Sequence, residues 1–323
     1  MTAQEKFKNV HSRKYWLVFA AAFFTCFCVH AFIVGPYTAN SDTLHLWHLD
    51  EAAVPAVDSA ASGINLSFLN TGATLGGASF TGFGNALNTG VGTTNAYLAP
   101  SSGATTLTYA DATTGAFTYE AVVRVDFNPD TITSAQLNAQ PMYIVTCESA
   151  TTGQRPWQWG VLAPASAGGI LNLRFFAGGS GAPNNFGVTI PRTGPDAIVQ
   201  GSWYHVAVTF SGGATTGTAK QYWTLMDTNR ALAAQVGADF TLSKLVPLSS
   251  ATPTFRIGNV GRAPAFQRWI GLIDEVRFSK VALSATNMMF NSFNVVISQD
   301  PVSQSLAVGQ TANFSVTDRK SVV

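Results

Sequence analysis

The sequence predicts an all-β fold, and three observations carry that expectation. Short runs rich in β-branched and aromatic residues recur from residue 43 to about 293, and Gly, Ser, Asn or Asp clusters separate nearly all of them. No helical pattern long enough to cross between parallel strands lies among them, which points to a sandwich or barrel. The run W-I-G-L-I-D-E-V-R-F-S at 269–279 is strand-like throughout.

That last run organises the rest. Alternation puts Ile270, Leu272, Asp274, Val276 and Phe278 on one side and Gly271, Ile273, Glu275 and Arg277 on the other. Gly271 marks a bulge or the close approach of another backbone. Glu275 and Arg277 share a side and can pair. Asp274 lies among apolar residues and needs another partner, because a carboxylate inside a strand is costly unless hydrogen-bonded, ion-paired or metal-bound.

In chain order, strands are expected at 44–49, 65–69, 86–88, 97–99, 117–127, 142–147, 158–162, 170–176, 203–210, 221–226, 255–257 and 269–278. Turn signals stand between them at 58–63, Gly76-Gly77, Gly168-Gly169, Gly178-Gly179 and Ser211-Gly212-Gly213. Short helices are expected near 133–137 and 283–290. Trp47, Phe117, Val122, Trp203, Val206, Val208, Ile257 and Ile273 are expected in the core.

Composition agrees with an ordered β protein. Of 323 residues 46% are hydrophobic and 11% charged, unlike a disordered chain. The formal net charge of +1 gives no footprint for nucleic acid, and no nucleic-acid partner is expected. Lys6, Lys8, Arg13 and Lys14 precede an apolar run from Tyr15 to about Gly35, so residues 1–39 read as a targeting segment with its linker. Two readings stand: a signal peptide cleaved after Ala31, or a retained membrane anchor. Either places the body outside the cytoplasm, secreted or at the cell surface. Cys26 and Cys28 lie in the apolar run, and Cys147 in M-Y-I-V-T-C reads as a small buried hydrophobe.

The motif G-L-I-D-E-V-R-F-S followed by K-V-A-L-S-A resembles the closing segment of laminin-G-like (concanavalin A-like) jelly-roll domains. L-H-L-W-H-L-D-E at 44–51 resembles the family's opening strand, and F-T-Y-E-A-V-V-R-V at 117–125 its early core strand. W-Y-H-V-A-V-T-F at 203–210 and F-R-I-G-N at 255–259 resemble its central and late strands. The resemblance implies one concanavalin A-like, laminin-G-like jelly-roll sandwich over 40–293. Some of these domains carry a disulfide near their end; this one has no second cysteine in its body to form it. From Asn294 the chain resembles the first two strands of an immunoglobulin-like domain, incomplete at 294–323. Its ending at 318–323, D-R-K-S-V-V, breaks that pattern and is expected to be foreign to the natural chain.

The chemistry-bearing residues are sparse. Laminarinase-type glycosidases on this fold carry two glutamates with an aspartate between them on one strand, since retaining hydrolysis needs two carboxyls about 5 Å apart. No such pattern occurs among the five glutamates of the chain, and no enzyme activity is expected. His45 and His48 are three apart, so a strand turns them to opposite sides. His205 in W-Y-H-V-A-V reads as a hydrogen-bonded sheet histidine. No certain cofactor is implied. Calcium, which some relatives bind, would draw on Asp50, Glu51, Asp58 and Asp274, because the first and last strands of a jelly roll lie side by side. The alternative is that Asp50 and Asp274 hold backbone amides.

A glycan site needs an aromatic platform and planar polar groups. The run R-P-W-Q-W offers Arg155, Trp157, Gln158 and Trp159, with the two indoles on one side about 7 Å apart. Tyr222 and Trp223 are a second candidate. The alternative is that these tryptophans are core. The expectation is a non-catalytic extracellular binding or adhesion module for polysaccharide or a cell-surface partner, with a membrane link only through the N-terminal segment. Its rivals are an architectural piece of a larger surface protein and the accessory domain of an enzyme.

Overall fold

The computed structural model describes residues 30–33, 35–61, 63–70, 72–90, 96–100, 107–137, 141–148, 155–178, 184–226, 230–245, 254–260 and 267–293. Most of the targeting segment, with Cys26 and Cys28, and the immunoglobulin-like stretch from Asn294 lie outside the described residues. Seventeen strands occur among the described residues. They are β1 (His30–Ile33), β2 (Thr43–Trp47), β3 (Phe68–Leu69), β4 (Thr74–Ala78), β5 (Asn85–Asn88) and β6 (Leu98–Ala99). Then come β7 (Phe117–Val125), β8 (Met142–Glu148), β9 (Arg155–Leu162), β10 (Asn172–Gly178), β11 (Asn184–Thr189) and β12 (Trp203–Phe210). The last five are β13 (Thr216–Leu225), β14 (Gln235–Ser243), β15 (Thr254–Ile257), β16 (Gly271–Ser279) and β17 (Phe290–Phe293).

Two antiparallel sheets make the jelly-roll sandwich. One has seven strands in the order β11-β10-β9-β8-β15-β6-β3. The other runs β14-β13-β12-β7-β16-β5-β4, and β2 joins it beside β5 on the same edge of β16. The first and last core strands, β2 and β16, therefore do pair. Inward side chains of both sheets interlock as aromatic pairs: Tyr119 on β7 meets Trp157 on β9 at 4.6 Å between centroids, and Trp47 on β2 meets Phe255 on β15 at 5.3 Å. Such pairs contribute about 0.5–1.5 kcal/mol each beyond simple burial. Cys147 sits in this core, where burial pushes its thiol pKa up.

The eight-stranded sheet is apolar on its second face as well. Tyr37, Leu46, Val122, Ala207, Tyr222, Met226, Met288 and Phe290 form a second cluster there, with Ile33, Ala39, Leu283 and Ala285 packed against it. The strand expected at 203–210 coincides with β12, and most others shift by a few residues. The strands that were not expected include β4, β11 and β14, which are sheet edges interrupted by glycine and polar residues. The helix expected at 133–137 is a single 3-10 turn at Ala135–Leu137, and 283–290 forms turns that run into β17. Trp203 is half-buried rather than core; the other seven expected core residues are fully buried.

The alternation expected along 269–279 holds only to its middle. Asp274 pairs with Val122 and Arg277 with Glu120, so β16 spends three residues where β7 spends two. This β-bulge flips the parity of the second half of the strand. Ile273, Val276 and Phe278 all point into the core, while Asp274 and Arg277 lie on the outer face. Glu275 takes the left-handed conformation at φ 48°, which a non-glycine residue adopts only where its surroundings hold it.

Candidate functional site

Polar residues gather on the outer faces of both sheets, with different consequences. On the eight-stranded sheet they bond mainly to one another. Glu120 Oε1 accepts from the Tyr37 hydroxyl at 2.8 Å and from His205 Nε2 at 3.1 Å, and its Oε2 accepts from Arg277 Nε at 2.8 Å. The Arg277 guanidinium also lies over the Tyr37 ring, 3.9 Å from its centroid. Burial alone would raise the Glu120 pKa, but the Arg277 charge and the hydrogen bonds outweigh it and hold it at about 2. Glu275 accepts from the Tyr37 amide and from His48 Nδ1, both at 2.6 Å. His205 is thus a bonded sheet histidine, and His45 and His48 serve separate partners, Asp58 and Glu275. The side that Glu275 and Arg277 were expected to share is not where Arg277 finds its bond: Glu120 is its partner.

Each of the four carboxylates considered for calcium accepts a backbone amide. Asp58 accepts from His45 Nδ1 and from the amides of Leu46, Ala60 and Ile64. Asp50 accepts from the Asn85 amide at 2.7 Å, and Glu51 from the Val57 amide at 2.8 Å. Asp274 bonds the Ser79 hydroxyl and the Glu275 amide, and burial, abetted by the charge of Glu275, pushes its pKa up to about 9. It therefore keeps its proton at neutral pH. No three candidate ligands converge among the described residues.

The tryptophan platform is corrected outright. Trp157 and Trp159 do share a side of β9, but that side faces the core, and both are fully buried. Trp157 packs against Tyr109, Tyr119, Phe175 and Phe278. The proline that suggested an edge strand has a different explanation. Pro156 lies at the bulged start of β9, between the Gln158–Phe176 and Arg155–Gly178 pairings, and β9 itself is interior to the sheet. The Arg155 side chain lies outside the described residues. Trp223 stacks on Tyr204 in the core at 4.6 Å, and Tyr222 is buried in the second cluster. Neither offers a platform.

Gln158 points the other way, onto the outer face of the seven-stranded sheet, and there it has company. The strand register lines up Asn185, Phe176, Gln158, Thr146 and Arg256 as one rung across five strands. A second rung carries Gly187, Arg174, Gly160 and Tyr143, with Arg268 bridged to Tyr143. Gly160 is required where it stands: a Cβ would come within 2.1 Å of the Met142 carbonyl oxygen at a bulge of β8. The floor of this face is buried and polar. Gln158 accepts from the Tyr143 hydroxyl at 2.9 Å and donates to Glu148, and Thr146 donates to the Asn259 carbonyl at 2.9 Å. Asn185 is exposed, Phe176 and Arg174 are half-exposed beside it, and Arg256 is half-exposed at the other end of the rung. Arg174 donates to Asn185 Oδ1 at 2.8 Å and lies 5.2 Å from the Phe176 centroid. Arg256 donates to the Val260 carbonyl at 2.7 Å and stacks 3.8 Å over the Tyr97 ring. Among the described residues no second-face apolar cluster covers this sheet as it covers the other.

The laminin-G model of the concanavalin A-like lectin/glucanases superfamily matches residues 99–288, more than half of the chain. The chain belongs to that superfamily. Solved structures that resemble this superfamily member do so distantly. Tailspike protein 2 from Escherichia coli O157:H7 bacteriophage CAB120 is 13% identical over 64% of this chain and 25% of its own, with a TM-score of 0.42. The type G botulinum neurotoxin receptor binding domain is 13% identical over 76% of this chain and 50% of its own, with a TM-score of 0.38. The CBM2 module of the evolved Dit of Lactobacillus casei BL23 phage J-1 is 13% identical over 75% of this chain and 97% of its own, with a TM-score of 0.35. No curated protein matches.

Proposed function

We propose that the chain is a non-catalytic, extracellular carbohydrate-binding module, and that the outer face of the seven-stranded sheet is its binding surface. The observation that carries this reading is the rung Asn185, Phe176, Gln158, Thr146 and Arg256, whose Asn185, Phe176 and Arg256 reach solvent beside a buried polar floor of Gln158 and Thr146, on a sheet face that no apolar cluster covers among the described residues. Membership of a superfamily described by lectins and glucanases supports a sugar as ligand. A half-exposed Phe176 can bury the C–H surface of a sugar ring, while Asn185 and the arginines reach its hydroxyls. The basic and then apolar N-terminus supports a location outside the cytoplasm.

Three features support binding without hydrolysis. Glu120 is held ionised by Arg277 and His205 under a second apolar layer, away from this face. Glu275 and Asp274 are buried on that same far side. Among the described residues Glu148 is the one carboxylate on the strands of the binding face, so no second carboxyl stands there at the spacing that hydrolysis needs. The test is to pass the full chain over a glycan array and insoluble polysaccharides beside Phe176→Ala. A dissociation constant of about 1 μM to 1 mM is expected for a single module with few contacts, and the variant should bind more weakly. Binding to no glycan would overturn the reading in favour of an architectural segment, and undiminished binding by a folded Phe176→Ala would move the site elsewhere.

A further inference from the structure

The binding face carries a charge bias that narrows its ligand. Among the described residues Arg174, Arg256 and Arg268 stand on or beside it against the single carboxylate of Glu148. The bias is local, since the whole chain has 18 basic and 17 acidic residues. Elsewhere arginines are paired with carboxylates: Arg124 with Asp126, Arg192 with Asp130, Arg230 with Asp196 and Arg277 with Glu120. Arg174 and Arg256 differ. Their hydrogen bonds go to neutral acceptors, the Asn185 amide oxygen and the Val260 carbonyl, and among the described residues no ion pair joins either to a carboxylate. Both are half-buried, so each guanidinium has already lost part of its water, and that burial lowers the pKa of each. The buried Glu148 acts on Arg256 through its charge, but neither Arg174 nor Arg256 is bonded to a carboxylate, so each can still gain a charge-assisted bond from an arriving anion.

Their placement excludes one small anion as the shared ligand. β10 and β15 are three strand spacings apart, about 14 Å. The two guanidiniums also lean away from each other. Arg174 turns toward Asn185 on the β11 side, and Arg256 toward Tyr97 on the β6 side. A ligand that meets both must be extended and must repeat its negative charge.

We propose that the outer face of the seven-stranded sheet binds an anionic polysaccharide, one bearing carboxylate or sulfate groups along its length, with Arg174 and Arg256 each taking one acidic group and Phe176 stacking on a ring between them. This rests on the carbohydrate-binding reading and names its ligand class.

The test uses the full chain at 0.15 M salt and two matched polymer pairs: dextran against dextran sulfate, and methyl-esterified polygalacturonate against the free acid. At least one anionic member should bind and its neutral partner should not. Arg174→Gln and Arg256→Gln should each weaken that binding about tenfold, the weight of one charge-assisted contact, and Arg174→Lys less. Lys220→Gln and Lys244→Gln, surface cations elsewhere, should change nothing. Near-ultraviolet circular dichroism would confirm that the variants are folded. Neutral polymers bound as tightly as anionic ones, with loss in Phe176→Ala, would overturn the anionic class and leave the carbohydrate reading intact. Anionic binding insensitive to both arginines would overturn the site. Failure of all four polymers and of the whole glycan array would overturn both.

Discussion

Arg277 donates from Nε and from Nη2 to one carboxylate oxygen, Oε2 of Glu120, directly across the β16–β7 pairing. Both side chains are buried, so the pair is bound up with the fold. Removing one partner leaves the other charge stranded in the apolar layer that Tyr37, Met288 and Phe290 help to build. Arg277→Ala should therefore destabilise the protein by about 3–5 kcal/mol, and the double replacement Glu120→Leu with Arg277→Leu by much less. Urea denaturation of the three proteins checks this, and equal losses in single and double variants would contradict it.

Stability should vary with pH in opposite directions at the two ends. Glu120 has a folded pKa of about 2, below its ordinary 4.5, so its contribution is present above pH 4.5 and is lost as pH falls through 2. Asp274 has a folded pKa of about 9, above its ordinary 3.8. Its contribution is complete below pH 3.8 and is lost progressively as pH rises to 9. His48, raised by its bond to Glu275, adds to the loss on the alkaline side. Thermal midpoints should peak on the acid side of neutrality. The advantage of Asp274→Asn over wild type should grow from pH 4 to pH 9; parallel curves would contradict the buried acid.

Trp157→Ala and Trp159→Ala should behave as core truncations. Each should cost about 3–5 kcal/mol, because both indoles are wholly enclosed. A loss under about 1 kcal/mol with a loss of glycan affinity would return them to the surface role that their spacing first suggested.

That misassignment shows where the sequence stops being informative. A period of two says that Trp157 and Trp159 share a side, but not which side of a sheet is inside. The same period carried the true face as well: Arg174 and Phe176 alternate with Leu173, Phe175 and Ala177, and Arg256 stands between Phe255 and Ile257. What could not be read is that β10, β9, β8 and β15 bring Phe176 and Arg256 onto one rung with Arg174 on the next, since strand order and register are long-range facts. Strongly alternating interior strands such as β12 were legible to the residue, whereas the glycine-broken edges β4, β11 and β14 were not. The bulge at Glu275 was invisible because Gly271, four residues earlier, was the only local sign of irregularity.

Gly160→Ala should disturb the binding face from beneath. The new methyl would meet backbone atoms of Met142 and Tyr143, and backbone cannot swing aside as a side chain can. A loss of about 1–3 kcal/mol is expected, together with weaker glycan binding, because β8 and β9 must part under Arg174. Unchanged melting and affinity would mean that the two strands are not in this register.

Hydroxyl-radical footprinting of the full chain, with and without a polysaccharide that it binds, tests the central claim most directly. Phe176 and Arg256 should be labelled in the free protein and protected in the complex, while Trp157 and Trp159 stay unlabelled in both. Protection that spares Phe176 and Arg256 and falls instead on residues of the eight-stranded sheet would contradict the assignment of the binding face.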